Sequence, residues 1–472
     1  MSYARDGDAA PRRSQAGVTR RGFLSGALGT TGLLLLAACG QSSGSGGGGA
    51  APTSAPAAGG AASTSGGFDW MKFQGTQIRL LANAHPWTDT IKPQLGDFEK
   101  LTGIKVVEED LPETQFRQKL TTELSQATGS VDVMMSAPNQ EGLKYQKAGW
   151  YEALDGYVKN ASLTSPDYDF ADFAPATITI ETVEGKLVGI PIQLESEILF
   201  YRKDLFEQKG LKPPATFDDL TAAAKALHNP DGGVFGVGLR GQGAAATSQF
   251  STFLYNYGGD WTDQSGQPTI NTQQAVDAFT YYGNLGRMYG PPNVVQNSWP
   301  ENVALFQQGK LGMFCDASVF KVNVEDASKS QVVGKVGYAV MPKGPVTNDP
   351  ASYIWGLSVA ASSKHKEAAW YFIQWATSKA VNLQLLQKGV PVARQSTWKD
   401  PAYTANSNKE FDETQQQSVS LSKHSYNPNV VPVQEFRDAV GPVIVTAMQG
   451  GDVKGAADKA QAAAKDVLSR AG

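Results

Sequence analysis

Cysteine and histidine are scarce in this chain. Its 472 residues include only two cysteines, Cys39 and Cys315, and four histidines. A disulfide framework needs several paired cysteines, and a structural zinc site needs several cysteine or histidine ligands at short spacings. The sequence therefore predicts no disulfide framework, no metal site and no bound cofactor.

Long hydrophobic runs and basic clusters are also scarce. The apolar run over 23–38 has 16 residues, whereas a membrane-spanning helix needs about 20. After residue 38 the chain has 36 basic and 43 acidic residues, a net charge of −7, without a basic block. This pattern argues against a nucleic-acid partner. Hydrophobic residues make up 41% of the chain, so about 400 residues can build two or three domains with full cores.

The first 38 residues have the layout of an export signal: a basic flank, a short apolar centre and small residues at its end. The segment TRRGFL (19–24) resembles the twin-arginine export signal. The segment LAAC (36–39) resembles the bacterial lipobox, in which the cysteine is lipidated and becomes the first mature residue. The alternative is a chance cysteine after an apolar patch. We predict a twin-arginine lipoprotein signal over 1–38, lipidation at Cys39 and anchoring to the extracytoplasmic face of the cell membrane.

A segment without charge follows the signal. Residues 40–67 consist almost entirely of glycine, serine, alanine, threonine and proline. Such a chain cannot bury apolar surface, and about 28 residues of it reach ~30 Å. We predict that residues 39–67 form a flexible tether between the anchor and the folded body; the alternative is a cloning linker.

Strand and helix patterns alternate from residue 68 onward. The first five predicted elements are a strand (76–83), a helix (90–103), a strand (104–110), a helix (113–129) and a strand (131–137). Similar alternation recurs between residues 197 and 379. This order predicts two α/β lobes, each with a parallel sheet that has helices on both faces.

Several stretches resemble one family, the extracellular solute-binding proteins of carbohydrate ABC importers, which include maltodextrin-binding protein. Residues 185–220 resemble its first inter-lobe crossing and the Tyr-x-Lys-Asp-Leu helix start that follows. FQQGKLGMF (306–314) resembles its Phe-x-x-Gly-Lys-x-x-Met element, and GYAVMPKGP (337–345) resembles the second crossing. Residues 353–378 and 389–403 resemble the branch that carries sugars and sugar alcohols.

The resemblance implies a fold, an activity and partners. The implied fold is α/β, of the type II periplasmic-binding-protein kind, with two lobes, a hinge and a ligand cleft between the lobes. The implied N-lobe is 68–193 plus 340–392, and the implied C-lobe is 194–339 plus 393–472. The implied protein is a monomer that captures a sugar or sugar alcohol by hinge closure and delivers it to an ABC importer permease.

A site for a sugar needs flat aromatic rings for the sugar faces and amide, carboxylate or guanidinium groups for the hydroxyls. Such groups are expected at the carboxyl ends of strands. Strand ends, the crossings and the family resemblance together give these candidate ligand-binding residues: Asn83, His85, Trp87, Gln115, Asn139, Glu195, Arg240, Trp261, Asp316, Trp355 and Arg394.

Most of these residues have a structural alternative. His85 could be a surface-loop histidine, Arg394 could be a surface charge, and Glu195 could form a salt bridge at the hinge. Asn139 could cap a helix, and Gln115 could lie on a solvated helix face. Trp87 could simply cap the lobe, and Trp261 and Trp355 could belong to the core.

Two other functions are alternatives to sugar binding. A glycoside hydrolase needs paired carboxylates across a cleft, and Glu195 with Asp316 could be mistaken for them. The sequence has no Gly-x-Ser-x-Gly and no His-Glu-x-x-His motif, so we predict that the protein is not an enzyme. A lipoprotein that binds a non-sugar solute, such as a polyamine, a peptide or a metal chelate, is the second alternative.

Overall fold

The computed structural model describes residues 67–471. The predicted signal peptide, Cys39 and all of the predicted tether except Gly67 lie outside the described residues. The strands are β1 (Gln77–Asn83), β2 (Lys105–Leu111), β3 (Val133–Ser136), β4 (Thr182–Val183), β5 (Lys186–Leu187), β6 (Ile190–Arg202), β7 (Phe235–Gly238), β8 (Leu311–Ala317), β9 (Val336–Val340) and β10 (Ser352–Val359).

Eighteen α-helices lie among the described residues. They are α1 (Pro86–Ile91), α2 (Leu95–Thr102), α3 (Glu113–Gln126), α4 (Pro138–Lys147), α5 (Asp155–Val158), α6 (Pro175–Ile180), α7 (Lys203–Lys209), α8 (Phe217–Leu227), α9 (Gly243–Asn256), α10 (Gln273–Tyr289), α11 (Trp299–Gln307), α12 (Lys321–Val324), α13 (Lys366–Ala376), α14 (Lys379–Gln387), α15 (Pro401–Thr404), α16 (Lys409–Leu421), α17 (Val433–Met448) and α18 (Val453–Ala471).

The principal sheet has mixed strand directions. Its order is β2-β1-β3-β10-β6-β8-β7, and β9 also pairs with β6. The β1–β2, β1–β3 and β7–β8 pairs are parallel, as predicted, whereas the pairs made by β10, β6 and β9 are antiparallel. The prediction of a wholly parallel sheet is therefore wrong for its centre, because β6 and β10 pair directly and in opposite directions.

Strand β6 joins two parts of this sheet. Its residues from Ile190 to Ser196 pair with β10, and its residues from Glu197 to Arg202 pair with β8 and β9. We call β1, β2, β3, β10 and the first half of β6 sheet 1, and β7, β8, β9 and the second half of β6 sheet 2. The segment 341–351 between β9 and β10 passes between the same two parts.

Helix ends follow local backbone chemistry. The helix predicted over 90–103 is α2 preceded by α1 and a short 3₁₀ turn at Lys92–Gln94. Pro93 in that turn lacks the N–H that a continuous helix would use. Helix α2 ends before Gly103, which adopts the left-handed conformation (φ 66°). Helix α3 ends at Gln126, three residues before the predicted end, because Ala127 is already left-handed (φ 49°).

The cores are apolar and rich in aromatic rings. Trp370 is fully buried and Trp375 is 7% exposed, so both indole rings lie on the inward face of α13. Helix α17 packs against α9, α10 and α18, and α16 packs on β9. Within residues 67–471, no helix is both long enough and apolar enough to span a bilayer.

Candidate functional site

A small cavity lies where sheet 1 and sheet 2 meet. Its walls come from the ends of β1 and β7, from β6 and β10, and from the first turns of α3, α4 and α11. The loop between α16 and α17 completes it with Tyr426 and Asn427. The cavity volume is about 30 Å³, which is room for about two water molecules.

A buried guanidinium–carboxylate pair forms one side of the cavity. Arg240 Nε donates to Asp316 Oδ2 at 2.8 Å, and Nη2 donates to Asp316 Oδ1. Both side chains are nearly inaccessible, at 8% and 2% exposure. Burial disfavours the charged guanidinium, but the Asp316 carboxylate outweighs this and raises the pKa of Arg240. Arg240 Nη1 makes no hydrogen bond to residues 67–471, so it remains available for a ligand.

His85 and Glu195 line the cavity from the sheet 1 side. His85 Nδ1 accepts from the backbone N–H of Trp87 at 3.3 Å, as the N-cap of α1. Its Nε2 lies 3.1 Å from Glu195 Oε1. Gln193 donates to the same carboxylate oxygen. Oε2 of Glu195 accepts no hydrogen bond from the described residues, so it remains available for a ligand.

A second charged network supports the aromatic wall. Arg117 on α3 donates to Glu113 Oε1 at 3.1 Å and to Glu141 on α4, and its guanidinium lies 5.0 Å from the Trp355 ring. Burial opposes the charge, but Glu141 and Glu113 outweigh it, so the pKa of Arg117 is raised well above its usual value. Arg117 Nη2 also donates to the Tyr353 hydroxyl at 3.0 Å. This network fixes Tyr353 and Trp355 against the cavity.

Aromatic rings line the cavity from both sheets. Tyr353 and Trp355 lie on the same face of β10, and Tyr426 stacks on Tyr353 with ring centroids 5.5 Å apart. Trp299 and Phe320 form a second stack, with centroids 5.0 Å apart. Rings of this kind suit the apolar faces or carbon backbone of a polyhydroxylated molecule.

Two polar atoms in the cavity wall have no hydrogen-bond partner among the described residues. They are Oδ1 of Asn83, a residue that is 2% exposed, and the hydroxyl of Tyr426, which is 6% exposed. A buried polar atom without a partner is costly, so each atom has a strong tendency to bond a polar ligand or water.

The structure brings together six of the predicted residues. Five of them line the cavity: Asn83, His85, Glu195, Arg240 and Trp355. Asp316 lies behind Arg240 and orients it. The surface-loop alternative for His85 is wrong, because this residue is only 6% exposed. Glu195 lines the cavity and also contacts His85 at 3.1 Å, so its alternative role in a salt bridge is compatible with a place in the cavity wall.

Trp87 and Gln115 do not reach the cavity. Trp87 is fully buried in the core beneath α1. Gln115 is exposed on α3, which agrees with the alternative of a solvated helix face. Glu113, two residues earlier at the start of the same helix, lines the cavity instead.

Asn139 and Trp261 line a different space, an outer groove of about 590 Å³ that borders the cavity. Trp261 is 1% exposed, and its indole N–H donates to Ser251 at 3.0 Å. Asn139 does not cap α4, since the N-cap is Ala137. Its Nδ2 donates to Ser425 Oγ at 2.8 Å.

Arg394 lies far inside the protein and not in the cavity. It is fully buried, which also excludes the alternative of a surface charge. It donates to the carbonyl oxygens of Thr377 at 2.6 Å and of Tyr168 at 2.6 Å, and its guanidinium lies 4.2 Å from the Phe173 ring. Through these bonds Arg394 connects the loop that contains Tyr168 to the end of α13 at Thr377, which is a structural role.

Sequence reasoning missed several wall residues. Tyr353 could have been found, because it precedes Trp355 by two positions on a strand and so lies on the same face. Gln140 directly follows the predicted Asn139, and the sequence does not show which of these two neighbouring side chains faces the cavity. The residues without any recognisable sequence signal are Ser248, Trp299, Phe320, Tyr426 and Asn427.

The polar groups of the cavity suit a neutral ligand. Glu113, Glu195 and Arg240 all line it. Desolvation favours the neutral form of Glu113, but Arg117, Arg437 and Arg240 outweigh this and lower the pKa of Glu113 below its usual value. In the described part of the chain, no group of three or more histidine, cysteine or acidic side chains could hold a metal ion.

The sequence model of bacterial extracellular solute-binding proteins matches residues 86–383. The chain belongs to this family. The family resemblance inferred from the sequence is therefore confirmed, and so is the prediction of a binding protein that is not an enzyme. The family description places its members outside the cytoplasm.

Two relatives are similar in sequence to more than half of this chain. It is 35% identical over 306 residues to the mannitol-binding protein of Pseudomonas aeruginosa, covering 62% of this chain and 68% of the relative. It is 29% identical over 344 residues to the erythritol/L-threitol-binding protein of Mycolicibacterium smegmatis, covering 69% of this chain and 72% of the relative.

Solved structures confirm the predicted fold class. A solute-binding protein of Agrobacterium radiobacter K84 in complex with ribitol matches with a TM-score of 0.77 and 27% identity, over 84% of this chain and 99% of that one. A solute-binding protein of Agrobacterium vitis S4 with bound D-mannitol matches with a TM-score of 0.76 and 29% identity, over 84% and 99%. The chain has the type II periplasmic-binding-protein fold.

Proposed function

We propose that this protein captures an uncharged polyol or sugar in the cavity between sheets 1 and 2 and delivers it to the permease of an ABC importer. The observation that carries the proposal is the composition of the cavity wall. Glu195 and Arg240 each keep a free hydrogen-bonding group, Asn83 keeps an unpartnered acceptor, and Trp355 supplies a ring. Relatives that bind mannitol, erythritol and ribitol support the ligand class.

The proposed cycle uses hinge closure. A cavity of about 30 Å³ is smaller than a polyol, so the lobes have to separate for the ligand to enter. The proposed lobes are 68–193 plus 340–392 and 194–339 plus 393–472. The hinge consists of the chain segments at the three boundaries between them, which include the middle of β6 and the start of the segment that leads from β9 to β10. Ligand that contacts both lobes stabilises the closed form, which is the form that docks on the permease.

A thermal-shift panel tests the ligand class. Mannitol, ribitol, erythritol, maltose, a polyamine, a short peptide and a metal chelate are each added to the purified protein. We expect at least one polyol or sugar to raise the melting temperature, since a ligand at 100 times its Kd adds about 2.7 kcal/mol to the free energy of unfolding. A shift given only by a non-sugar solute would favour the alternative of a non-sugar receptor.

The proposed location is the outer face of the cell membrane. The twin-arginine signal over 1–38, the lipobox cysteine Cys39 and the tether over 39–67 support it. The protein acts as a monomer whose tether lets the folded body reach the permease. We expect a Cys39→Ser variant to leave the membrane fraction and to lose incorporation of labelled fatty acid. Unchanged membrane retention would contradict the anchor.

A further inference from the structure

The first turn of α4 is bonded to the loop between α16 and α17, residues 422–432, which we call the bridging loop. Asn139 Nδ2 donates to Ser425 Oγ at 2.8 Å, and Asn427 Nδ2 donates to Gln140 Oε1 at 3.1 Å. Adjacent residues of the helix thus pair with alternate residues of the loop.

The bridging loop is fixed to α9, on the sheet 2 side. Ser251 Oγ donates to the carbonyl oxygen of Tyr426 at 2.5 Å, and the Tyr255 hydroxyl donates to the carbonyl oxygen of Ser425 at 2.9 Å. Ser248 Oγ donates to Asn427 Oδ1 at 3.2 Å. Helix α9 packs against β8, so these bonds hold the loop to the elements of sheet 2. The loop backbone also bonds to Ser352, the first residue of β10 beside the hinge: the Ser352 N–H donates to the His424 carbonyl oxygen at 3.0 Å, and the Tyr426 N–H donates to the Ser352 carbonyl oxygen at 3.1 Å.

Helix α4 is fixed on the sheet 1 side. It packs against β10 and β4, and Gln140 Oε1 also accepts from the Tyr353 hydroxyl at 2.6 Å. Tyr353 in turn accepts from Arg117 at 3.0 Å. The two side-chain pairs between α4 and the bridging loop therefore connect elements that separate when the lobes open.

We propose that the pairs Asn139–Ser425 and Gln140–Asn427 form a latch that stabilises the closed form and determines how slowly the ligand leaves. This inference rests on the proposed function. Gln140 and Asn427 also line the cavity, whereas Asn139 and Ser425 line the outer groove. The Asn139–Ser425 pair thus slows release without contacting the ligand, and its removal isolates the latch.

The expected effect follows from the strength of one hydrogen bond. A bond between uncharged side chains stabilises by an amount that corresponds to about a two- to twelvefold change in an equilibrium constant. Ligand can leave only after opening, so we expect Asn139→Ala and Ser425→Ala each to raise the dissociation rate by about fivefold. This increase in dissociation rate should be the same for every polyol, because the hydrogen bond that is removed joins Asn139 and Ser425 and does not involve the ligand.

The test is stopped-flow tryptophan fluorescence with mannitol, ribitol and erythritol on the full folded protein. The matched control is Asn429→Ala, because Asn429 lines the same groove and is exposed; its dissociation rate should equal that of the wild type. The double variant Asn139→Ala/Ser425→Ala should dissociate no faster than either single variant, as expected of a coupled pair.

Three outcomes would overturn the latch. The first is an unchanged rate in both single variants. The second is an effect of Asn139→Ala alone that changes from polyol to polyol, which would make Asn139 a direct ligand contact. The third is a wild type that binds no polyol or sugar, which refutes the proposed function, and the latch with it. Binding by the wild type with unaltered rates in the variants refutes the latch alone.

Discussion

Replacing Arg240 by alanine is expected to weaken polyol binding by at least about 100-fold, since a hydrogen bond to a charged group contributes about 1.5–3 kcal/mol and Arg240 can make more than one. The same change leaves the carboxylate of Asp316, 1% exposed, without its partner. We expect this to lower the free energy of unfolding by about 3–5 kcal/mol. Calorimetric titration and urea denaturation measure the two effects.

A double variant separates binding from stability. Replacing a buried ion pair by apolar side chains of similar volume is often neutral or stabilising, so Arg240→Met/Asp316→Leu should regain most of the stability lost in Arg240→Ala. It should still fail to bind the polyol. The control is Arg79→Ala, because Arg79 pairs with Glu109 and Glu123 outside the cavity. Polyol binding by the double variant at wild-type affinity would remove Arg240 from the site.

Stability is expected to fall as the pH rises from 5 to 8, because two glutamates are buried in neutral form. Glu181 is fully buried, and neither of its carboxyl oxygens has a partner among the described residues. Its carboxyl occupies the space left by Gly189 and Gly356, where an added Cβ would come within 2.2 Å of it. Burial, together with the charge of Glu141, raises the pKa of Glu181 well above its usual value.

Glu197 has a similar environment beside the cavity. It is 1% exposed, and Thr252 donates to its Oε2 at 2.5 Å. Burial raises the pKa of Glu197 well above its usual value; the nearby Asp316 adds to this, and the bond from Thr252 only partly offsets it. In the folded protein both glutamates therefore keep a proton that they lose on unfolding.

The sign of the effect follows from proton uptake. A group whose folded-state pKa is raised contributes its full stability below its unfolded pKa, near 4.3, and loses it as the pH rises toward the folded pKa. Between these two pKa values the free energy of unfolding falls by about 1.4 kcal/mol per pH unit for each such group.

Urea denaturation at pH 5, 6, 7 and 8 measures this dependence of the free energy of unfolding on pH. Glu181→Gln should flatten the curve by about that slope, whereas Glu184→Gln, at an exposed position nearby, should not. Parallel curves for Glu181→Gln and the wild type would show that Glu181 is ionised in the folded protein.

The sequence predicted the fold more completely than the site. The alternation of strands and helices and the family motifs predict the α/β class, and the solved relatives confirm it. The antiparallel centre was missed because strand direction depends on the pairing of β6 with β10, two segments about 160 residues apart. Residue patterns within each segment carry no information about that pairing.

Site residues on strands and in strand-end loops were placed best. Asn83 and Glu195 lie on strands and His85 and Arg240 directly follow strand ends, where geometry constrains position. At the start of α3 the sequence predicted Gln115 as a site residue, whereas Glu113 lines the cavity. A helix turns 100° per residue, so residues two positions apart point in very different directions. Arg394 was misplaced because the sequence does not show which carbonyl oxygens its loop brings within reach.

The proposed site binds an uncharged polyol between Arg240, Glu195 and Trp355. The decisive experiment is a crystal structure of the protein with the polyol that gives the largest thermal shift. We expect hydroxyl groups within hydrogen-bonding distance of Glu195 Oε2, Arg240 Nη1 and Asn83 Oδ1, and the carbon chain against Trp355. A polyol that lies instead in the outer groove, beside Tyr255 and His424, would contradict it.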